Sequence, residues 1–407
     1  MLKINYFRIS KYLIYMCLFY LFFIKYAYRD SHVVLYGTAG LATICMVLDL
    51  LVSHKDISDL CHWGLLINLI MCIYSLITGV FVANDTDVLI SAIKTYSAFS
   101  LICLVICYIS KEEKSIIWLS NAIIIIDMIS ALYVLTNGTY YKGYGYIIGP
   151  TQNPNNLGLA MTLGLFCIAY KPRTKPIKTV SSVCISILFL YTIIGCGSRK
   201  CVFAAIIVCA LWLISLTYEL WNGNSWGTRI ILILFLVAIA VGLIYYYNNV
   251  YINTYSYNRM TSLGAEDEGS SQARILYYQY ALDYFQEKPI FGIGLDQFRV
   301  WNPHHAYAHS TYAEALAGWG FVGCIFYFFP VVLAGIHLIR RSLFGKEKYN
   351  SGVVLALWAA EMFLGIGQIW FYEIEHLIAW AMIYIAVFMA DNSNRTKNFR
   401  RLKYVKV

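Results

Sequence analysis

The sequence predicts an all-α membrane protein with about twelve transmembrane helices. The chain is 60% hydrophobic and only 13% charged, which leaves too little polar surface to cover soluble domains. Its mean hydropathy of +0.62 comes from many separate apolar stretches, each about the ~20 residues that cross a ~30 Å hydrocarbon core as a helix. A single large connection interrupts this pattern and is expected to be partly helical.

The predicted spans run through the whole chain, so residues 1–407 are treated as a single transmembrane domain. Basic residues precede the first span as in a signal peptide. No small-residue cleavage site separates that span from the next apolar stretch, so we expect it to be retained. To within a few residues, the spans cover approximately 12–28, 33–52, 63–83, 88–109, 116–135, 156–170, 179–195, 201–219, 230–247, 318–338, 352–371 and 377–390.

The basic residues predict the orientation in the membrane. An even number of spans puts both termini on one side, and that side carries 21 of the 31 lysines and arginines. Because cytoplasmic loops are enriched in basic residues, both termini are expected to be cytoplasmic. The same loops account for the formal net charge of +9, which indicates contact with anionic lipid and no role in binding nucleic acid.

The twelve cysteines do not indicate a disulfide framework or a metal site. Most of them fall inside predicted spans or at their ends, and the chain contains no Cys-x-x-Cys pair. They are expected to be small apolar packing residues.

One connection, 248–317, is much longer than the others and lies on the extracytoplasmic side between the ninth and tenth spans. Structureless loops of this length are unusual, so we expect it to fold and to carry part of an active site. Ser270 or Ser271 can cap a first helix, which Pro289 ends. That helix is predicted from apolar residues three to four positions apart, namely Ile275, Tyr278, Leu282 and Phe285.

A second helix is predicted to begin near Ser310 and to continue into the tenth span. Thr311 and Glu314 have the spacing of a capping box, in which two side chains bind backbone N–H groups of the first turn. The positive end of this helix would face the extracytoplasmic side.

Three histidines in the long loop lead into the second helix: His304, His305 and His309. A neutral imidazole can accept a proton near pH 7, so His309 is the candidate general base. His305 and His309 have the i, i+4 spacing of a zinc-binding pair, but neither a His-Glu-x-x-His motif nor a nearby cysteine accompanies them. Surface histidines with a structural role are the other alternative.

Two arginines lie in predicted extracytoplasmic segments, against the charge bias of the chain. Arg199 occupies a tight turn between the seventh and eighth spans, and Arg274 opens the first loop helix. Guanidinium groups bind phosphate oxygens in pairs, so the two arginines and the N-terminus of the helix near Ser310 would form a diphosphate site. The alternative for each arginine is an interfacial residue whose charge extends into water.

Glu361 lies inside the eleventh predicted span. Charges in hydrocarbon are costly enough to need partners, and no partner for this carboxylate is identifiable from the sequence.

Several short segments resemble the O-antigen ligase and polymerase superfamily of bacterial membrane glycosyltransferases. Each segment is weakly specific alone, but their order, spacing and predicted membrane side together are specific. The match is strongest over roughly 195–325. The matching segments are Asn153-Pro-Asn-Asn-Leu-Gly158, Gly197-Ser-Arg-Lys200, Ala273-Arg274, the stretch from Ala281 to Gly294, and His309-Ser-Thr-Tyr-Ala-Glu314.

The resemblance implies a GT-C-like fold and glycan transfer from an undecaprenyl-diphosphate-linked donor to a glycan acceptor, on the outer face of the bacterial cytoplasmic (inner) membrane. It implies an inverting reaction without a metal or other cofactor. His309 would be the general base, and Arg199 and Arg274 would hold the departing diphosphate. Glu314 and His305 are candidate supporting residues.

Ligases of this superfamily usually carry asparagine directly after the histidine, whereas polymerases often carry serine, as Ser310 here. The resemblance therefore favours a polymerase of repeat units, with a chain-length regulator protein as a natural partner, over a ligase that transfers glycan to lipid A core. A transporter of lipid-linked oligosaccharides is the main alternative from another class, because twelve spans with cytoplasmic termini also suit a transporter. A non-enzymatic assembly partner is the third.

Overall fold

The computed structural model of the protein is almost entirely helical over the residues that it describes, as the sequence predicts. The exception, between the fifth and sixth predicted spans, is a pair of antiparallel two-residue strands, β1 (Thr139–Tyr140) and β2 (Ile147–Ile148). The described residues are 12–20, 32–53, 63–110, 113–137, 139–140, 147–148, 153–170, 176–223, 226–253, 257–258, 261, 269–345 and 348–389.

Helices follow one another along the chain with short connections. They are α1 (12–20), α2 (His32–Ser53), α3 (Trp63–Val82), α4 (Thr86–Ile109), α5 (Glu113–Asn137), α6 (Pro154–Tyr170), α7 (Pro176–Gly195), α8 (Arg199–Gly223), α9 (Trp226–Asn249), α10 (Gly269–Glu287), α11 (Phe298–Trp301), α12 (Thr311–Phe344), α13 (Lys348–Leu364) and α14 (Ile374–Tyr384).

Five helices in the described part of the chain, α2, α4, α5, α8 and α12, are long and apolar enough to cross a membrane, and further apolar helices are shorter. Large apolar side chains point outward from α12, including Phe321, Phe329 and Ile336, each more than half exposed. A contiguous apolar surface of this kind suits hydrocarbon rather than water. The fold is that of a helical membrane protein, and the number of twelve spans stays a prediction.

The core that positions the candidate site consists of α8, α12 and α13. α8 packs along α13, which packs against α12. Glycines allow the closest approaches: a Cβ at Gly335 of α12 would lie 2.4 Å from the Trp358 indole of α13, and one at Gly352 of α13 would lie 2.2 Å from Ser215 Oγ of α8. This packing brings the first residues of α8 and α12 to the residues that follow α13.

The eleventh predicted span, 352–371, ends too late. α13 stops at Leu364, residues 365–369 are not helical, and Trp370–Tyr372 form a 3-10 turn. The prediction was wrong because apolar and aromatic residues keep the hydropathy high across the break. Glycines at positions 365 and 367 were the only local signal of an interruption.

α12 contains a backbone break at Gly320. The helix begins at Thr311, so the predicted second loop helix and the tenth span form one element, as expected. Gly320 has φ 63° and ψ −167°, a combination that essentially only glycine adopts. The break frees backbone groups to bind the preceding segment: Ile293 and Gly294 N–H donate to the carbonyls of Ala317 and Gly318, and Phe321 and Val322 N–H donate to those of Pro289 and Ile290.

Replacing Gly320 by alanine should destabilise the protein by more than the ~1–3 kcal/mol that this backbone conformation costs alone. A Cβ there would lie 2.5 Å from Gly292 N and 2.6 Å from Ile290 O, and these backbone atoms have no independent freedom to move away. Thermal unfolding in detergent measures the effect. The matched control is Gly242→Ala, whose Cβ would meet nothing within 4 Å. Equal melting temperatures for the two variants would contradict the backbone break at Gly320.

Candidate functional site

α10 carries Arg274 and packs against α12. The helix forms where the sequence predicts it, although two of the apolar residues that indicate it, Ile275 and Leu282, are 58% and 51% exposed. The buried face is formed mainly by tyrosine rings, which contact the loop before α12, and consists of Tyr277, Tyr280, Ala281 and Tyr284. The exposed aliphatic residues resemble the apolar outer surface of α12, so periodicity identified a lipid-type face instead of the packed one.

His309 lies in the loop between α11 and α12, where two non-glycine residues have positive φ, 55° for His309 and 50° for His305. Asp296, just before α11, has φ 59°. Residues with a Cβ adopt this conformation at a free-energy cost, so the surrounding contacts must hold it in place.

Glu314 provides one of these contacts directly beside the candidate base. Its Oε2 accepts a hydrogen bond from the Ala308 N–H at 2.8 Å, and its Oε1 accepts one from the Tyr372 hydroxyl at 3.2 Å. The carboxylate thus ties the residue before His309 to the turn that follows α13.

The capping box predicted at the start of α12 is wrong. Ser310, rather than Thr311, is the N-cap residue, and its side chain accepts a hydrogen bond from the Ala313 N–H. Because a serine hydroxyl alone caps the helix, the Glu314 carboxylate turns to the preceding loop.

Residues 365–368, called the 365–368 loop from here on, join three parts of the site. The carbonyls of its four consecutive residues accept hydrogen bonds from other elements. The donors are Ser310 Oγ (3.3 Å) and Thr311 N–H (2.8 Å) to Gly365, Tyr278 Oη (2.7 Å) to Ile366, Lys200 Nζ to Gly367, and Thr311 N–H (2.9 Å) and Oγ1 (2.7 Å) to Gln368. Tyr278 lies one helical turn after Arg274. The loop therefore positions α8, α10 and α12 relative to one another.

The N-terminus of α12 does not offer all of its N–H groups to an anion. Thr311 N–H donates to the 365–368 loop, and Ala313 N–H donates to Ser310 Oγ. First-turn N–H groups bind anions only when no other acceptor uses them. The expectation that this helix end forms part of a diphosphate site was wrong for these two groups.

The surroundings of His309 keep its imidazole neutral. The side chain is half-buried and its ring stacks on Tyr277, with centroids 6.1 Å apart. Burial, together with the positive charges of Arg274 and Lys200, lowers the pKa of His309 to about 4. At neutral pH one ring nitrogen therefore has a lone pair that can accept a proton.

Lys200 is a candidate residue that the sequence did not single out. Lys200 directly follows Arg199 at the start of α8. Its positive charge, from that helix, lowers the pKa of His309. A guanidinium is the better-known phosphate ligand, so the motif drew attention to Arg199. The position of the neighbouring ammonium depends on Gly367, which is far away in the sequence.

The turn before α8 packs against the Asn-rich segment 153–158. Ser198 Oγ donates to Asn155 Oδ1 at 2.7 Å, and a Cβ at Gly158 would lie 2.6 Å from Cys201 Cβ. Two segments that carry the resemblance are therefore in direct contact, and half-buried Arg199 directly follows Ser198 there.

His305 lies on the exposed side of the loop, away from Glu314. Its Nδ1 is 3.3 Å from the carbonyl oxygen of Arg299. Within the described ranges, no three His, Cys, Asp or Glu side chains are grouped as metal ligands. The geometry gives His305 a contact within the loop itself.

A charged pair lies at α11, where the sequence indicated no site. Arg299 Nη2 donates to Asp296 Oδ2 at 2.5 Å. Burial raises the pKa of Asp296 to about 6, against the opposing effect of the Arg299 charge. The guanidinium also lies over the Tyr307 ring, 5.5 Å from its centroid, so the pair holds a residue two positions before His309.

Glu361 has a partner on the next helix, which the sequence did not reveal. Nδ1 of His376 lies 2.6 Å from Glu361 Oε2, and both side chains are buried. Nε2 of His376 lies 3.2 Å from Gln368 Oε1. The buried pair therefore connects to the 365–368 loop.

Comparison with known proteins gives a family match for the segment that contains these residues. Residues 157–328, which include Arg199, Arg274 and His309, match the family model described as O-antigen ligase. This match confirms the resemblance to the O-antigen ligase and polymerase superfamily. The long apolar helices agree with a membrane protein similar to this family.

A structural comparison gives a weak similarity to a chain of the structure titled "Structural coordination of polymerization and crosslinking by a peptidoglycan synthase complex". The TM-score is 0.42 at 13% sequence identity, over 80% of this chain and 97% of that chain. No curated protein matches the sequence.

Proposed function

We propose that the protein is a membrane glycosyltransferase that polymerises undecaprenyl-diphosphate-linked oligosaccharide repeat units of O-antigen, capsule or exopolysaccharide. The reaction takes place on the outer face of the bacterial cytoplasmic membrane, and both termini of the enzyme are cytoplasmic. The observation that carries the proposal is a neutral imidazole at His309 beside cationic residues of α8 and α10.

In the proposed reaction, the acceptor hydroxyl gives its proton to His309 while its oxygen forms a bond to the anomeric carbon of the donor. The bond between that carbon and the diphosphate oxygen breaks on the opposite face, so the configuration inverts. The electron pair stays on undecaprenyl diphosphate, whose added negative charge Arg199 and Arg274 stabilise. The low pKa of His309 favours release of the proton to water, which restores the base.

The chemistry of the donor fits this set of residues. A lipid diphosphate is a good leaving group, so the enzyme mainly has to position it, stabilise its charge and deprotonate a sugar hydroxyl. Arginine forks bind diphosphate oxygens directly, and the proposed mechanism therefore uses no metal ion.

Transfer of glycan to lipid A core is the second candidate, because the matching family is described as O-antigen ligase. Ser310 favours a polymerase by resemblance alone. In the structure its side chain caps α12, a role that asparagine performs equally well. The physical role of the residue after His309 therefore does not distinguish a polymerase from a ligase. The reaction product has to distinguish them.

Purified protein that receives only undecaprenyl-diphosphate-linked repeat units should lengthen the glycan, as measured by gel electrophoresis and mass spectrometry of the product. The rate should be the same with and without a chelator. If transfer strictly requires core oligosaccharide, the protein is a ligase and not a polymerase. Movement of intact lipid-linked units across vesicles, without any new glycosidic bond, would identify a transporter.

A further inference from the structure

A hydrogen bond to the 365–368 loop positions Lys200 and connects it to the rest of the site. Its ammonium donates to the carbonyl of Gly367, and its chain is half-buried along that glycine: a Cβ at Gly367 would lie 3.2 Å from Lys200 Cδ. A side chain larger than hydrogen at position 367 would therefore displace the lysine.

The carbonyls on either side of Gly367 accept hydrogen bonds from α10 and from the start of α12. Ile366 accepts the Tyr278 hydroxyl, one helical turn after Arg274, and Gln368 accepts from Thr311, two residues after the base. Lys200 and the helix that carries Arg274 thus approach the same short loop from different elements. Three consecutive backbone carbonyls therefore hold Lys200, the helix that carries Arg274 and the start of the helix that follows His309.

The two cations act on the same imidazole. Among the charges that face His309, Arg274 comes from α10 and Lys200 from α8, and the Tyr277 ring covers it from α10. Two cations directed at one neutral base are unfavourable for a protonated imidazole but favourable for a group with two or more negative charges. A diphosphate has this charge.

We propose that Lys200 binds the diphosphate of the lipid-linked donor together with Arg274, while Gly367 orients its ammonium. This inference rests on the proposed function and assigns a second binding residue to α8, next to Arg199. Binding of the diphosphate also offsets the two charges that hold the pKa of His309 down, so the donor itself strengthens the base.

The test compares Lys200→Gln and Lys200→Arg with Lys288→Gln, a control at an exposed lysine of the same loop region. Loss of a charge-assisted contact should weaken binding of undecaprenyl diphosphate to the purified full-length protein by about 10- to 100-fold in Lys200→Gln. The KM for the lipid-linked donor should rise by a similar factor. Lys200→Arg should recover part of both effects, and Lys288→Gln should match the wild type.

The pH profile separates this role from a structural tie between α8 and the loop. Removal of one cation raises the pKa of His309, so the acid limb of kcat/KM should move to higher pH in Lys200→Gln. A lower melting temperature with unchanged undecaprenyl diphosphate affinity and an unchanged acid limb would overturn the inference.

Failure of the inference and failure of the proposed reaction give different results. If Lys200→Gln polymerises repeat units with wild-type KM, the inference is wrong and the polymerase stands. If the wild type transfers no glycan but binds undecaprenyl diphosphate in a Lys200-dependent manner, the diphosphate site stands and the reaction is wrong.

Discussion

Replacing His309 by alanine should lower kcat/KM for glycan transfer by about 10²- to 10⁴-fold, the contribution typical of a general base. Burial and the charges of Arg274 and Lys200 keep this imidazole neutral at pH 7. Alanine offers no proton acceptor, so the acceptor hydroxyl must lose its proton to water. The measurement is glycan elongation by purified protein with lipid-linked repeat units, at equal amounts of folded enzyme.

A second variant separates the loss of the base from the strain of the loop. Position 309 has φ 55°, which asparagine tolerates better than alanine, so His309→Asn keeps the backbone and still lacks a suitable base. His304→Ala, at an exposed position of the same loop, should stay within a few-fold of the wild type. Wild-type elongation by His309→Asn would discard His309 as the base.

The sequence was informative where a residue's chemistry and its immediate neighbours define its role. His309 precedes a helix with a serine cap, and Arg274 lies at the start of a helix ended by proline, so both could be placed from local signals. The second loop helix runs on towards the tenth span as predicted, but the backbone breaks at Gly320, which the sequence did not reveal.

The 365–368 loop could not be found in the same way, because its contribution comes from backbone carbonyls. Carbonyl groups are common to all residues and leave no trace in composition. Two glycines in an otherwise apolar stretch marked the place, yet neither indicates that Tyr278, Lys200 and Thr311 converge there. Such long-range contacts depend on how α8, α10 and α12 pack, which periodicity does not encode.

The packed face of α10 does not follow from its hydrophobic periodicity, for a different physical reason. Hydrophobic periodicity assumes that aliphatic side chains turn inward, as in water. In a protein with an apolar outer surface, Ile275 and Leu282 can remain exposed while tyrosines pack. Tyrosine suits this packed face because its hydroxyl can bind a backbone carbonyl, as Tyr284 does with Trp301 at 2.9 Å.

Replacing Glu361 by alanine should lower the free energy of unfolding by about 1–3 kcal/mol, the cost of leaving a buried hydrogen-bonding group without its partner. His376 would remain fully buried among apolar helices with no acceptor in place of the carboxylate that now lies 2.6 Å from Nδ1. Thermal unfolding in detergent measures the loss. A melting temperature equal to that of the wild type would mean that the pair contributes no stability.

The double variant Glu361→Leu with His376→Leu tests whether the effect comes from the unpaired group. Removing both partners leaves neither side chain of the pair without a hydrogen-bond partner, so this protein should be more stable than Glu361→Ala, although two polar groups are lost. Its activity should nevertheless fall, because His376 also contacts Gln368 Oε1 at 3.2 Å and so supports the 365–368 loop. If the double variant regains stability but not activity, the pair has a positioning role. If the double variant is fully active, the pair contributes only to packing.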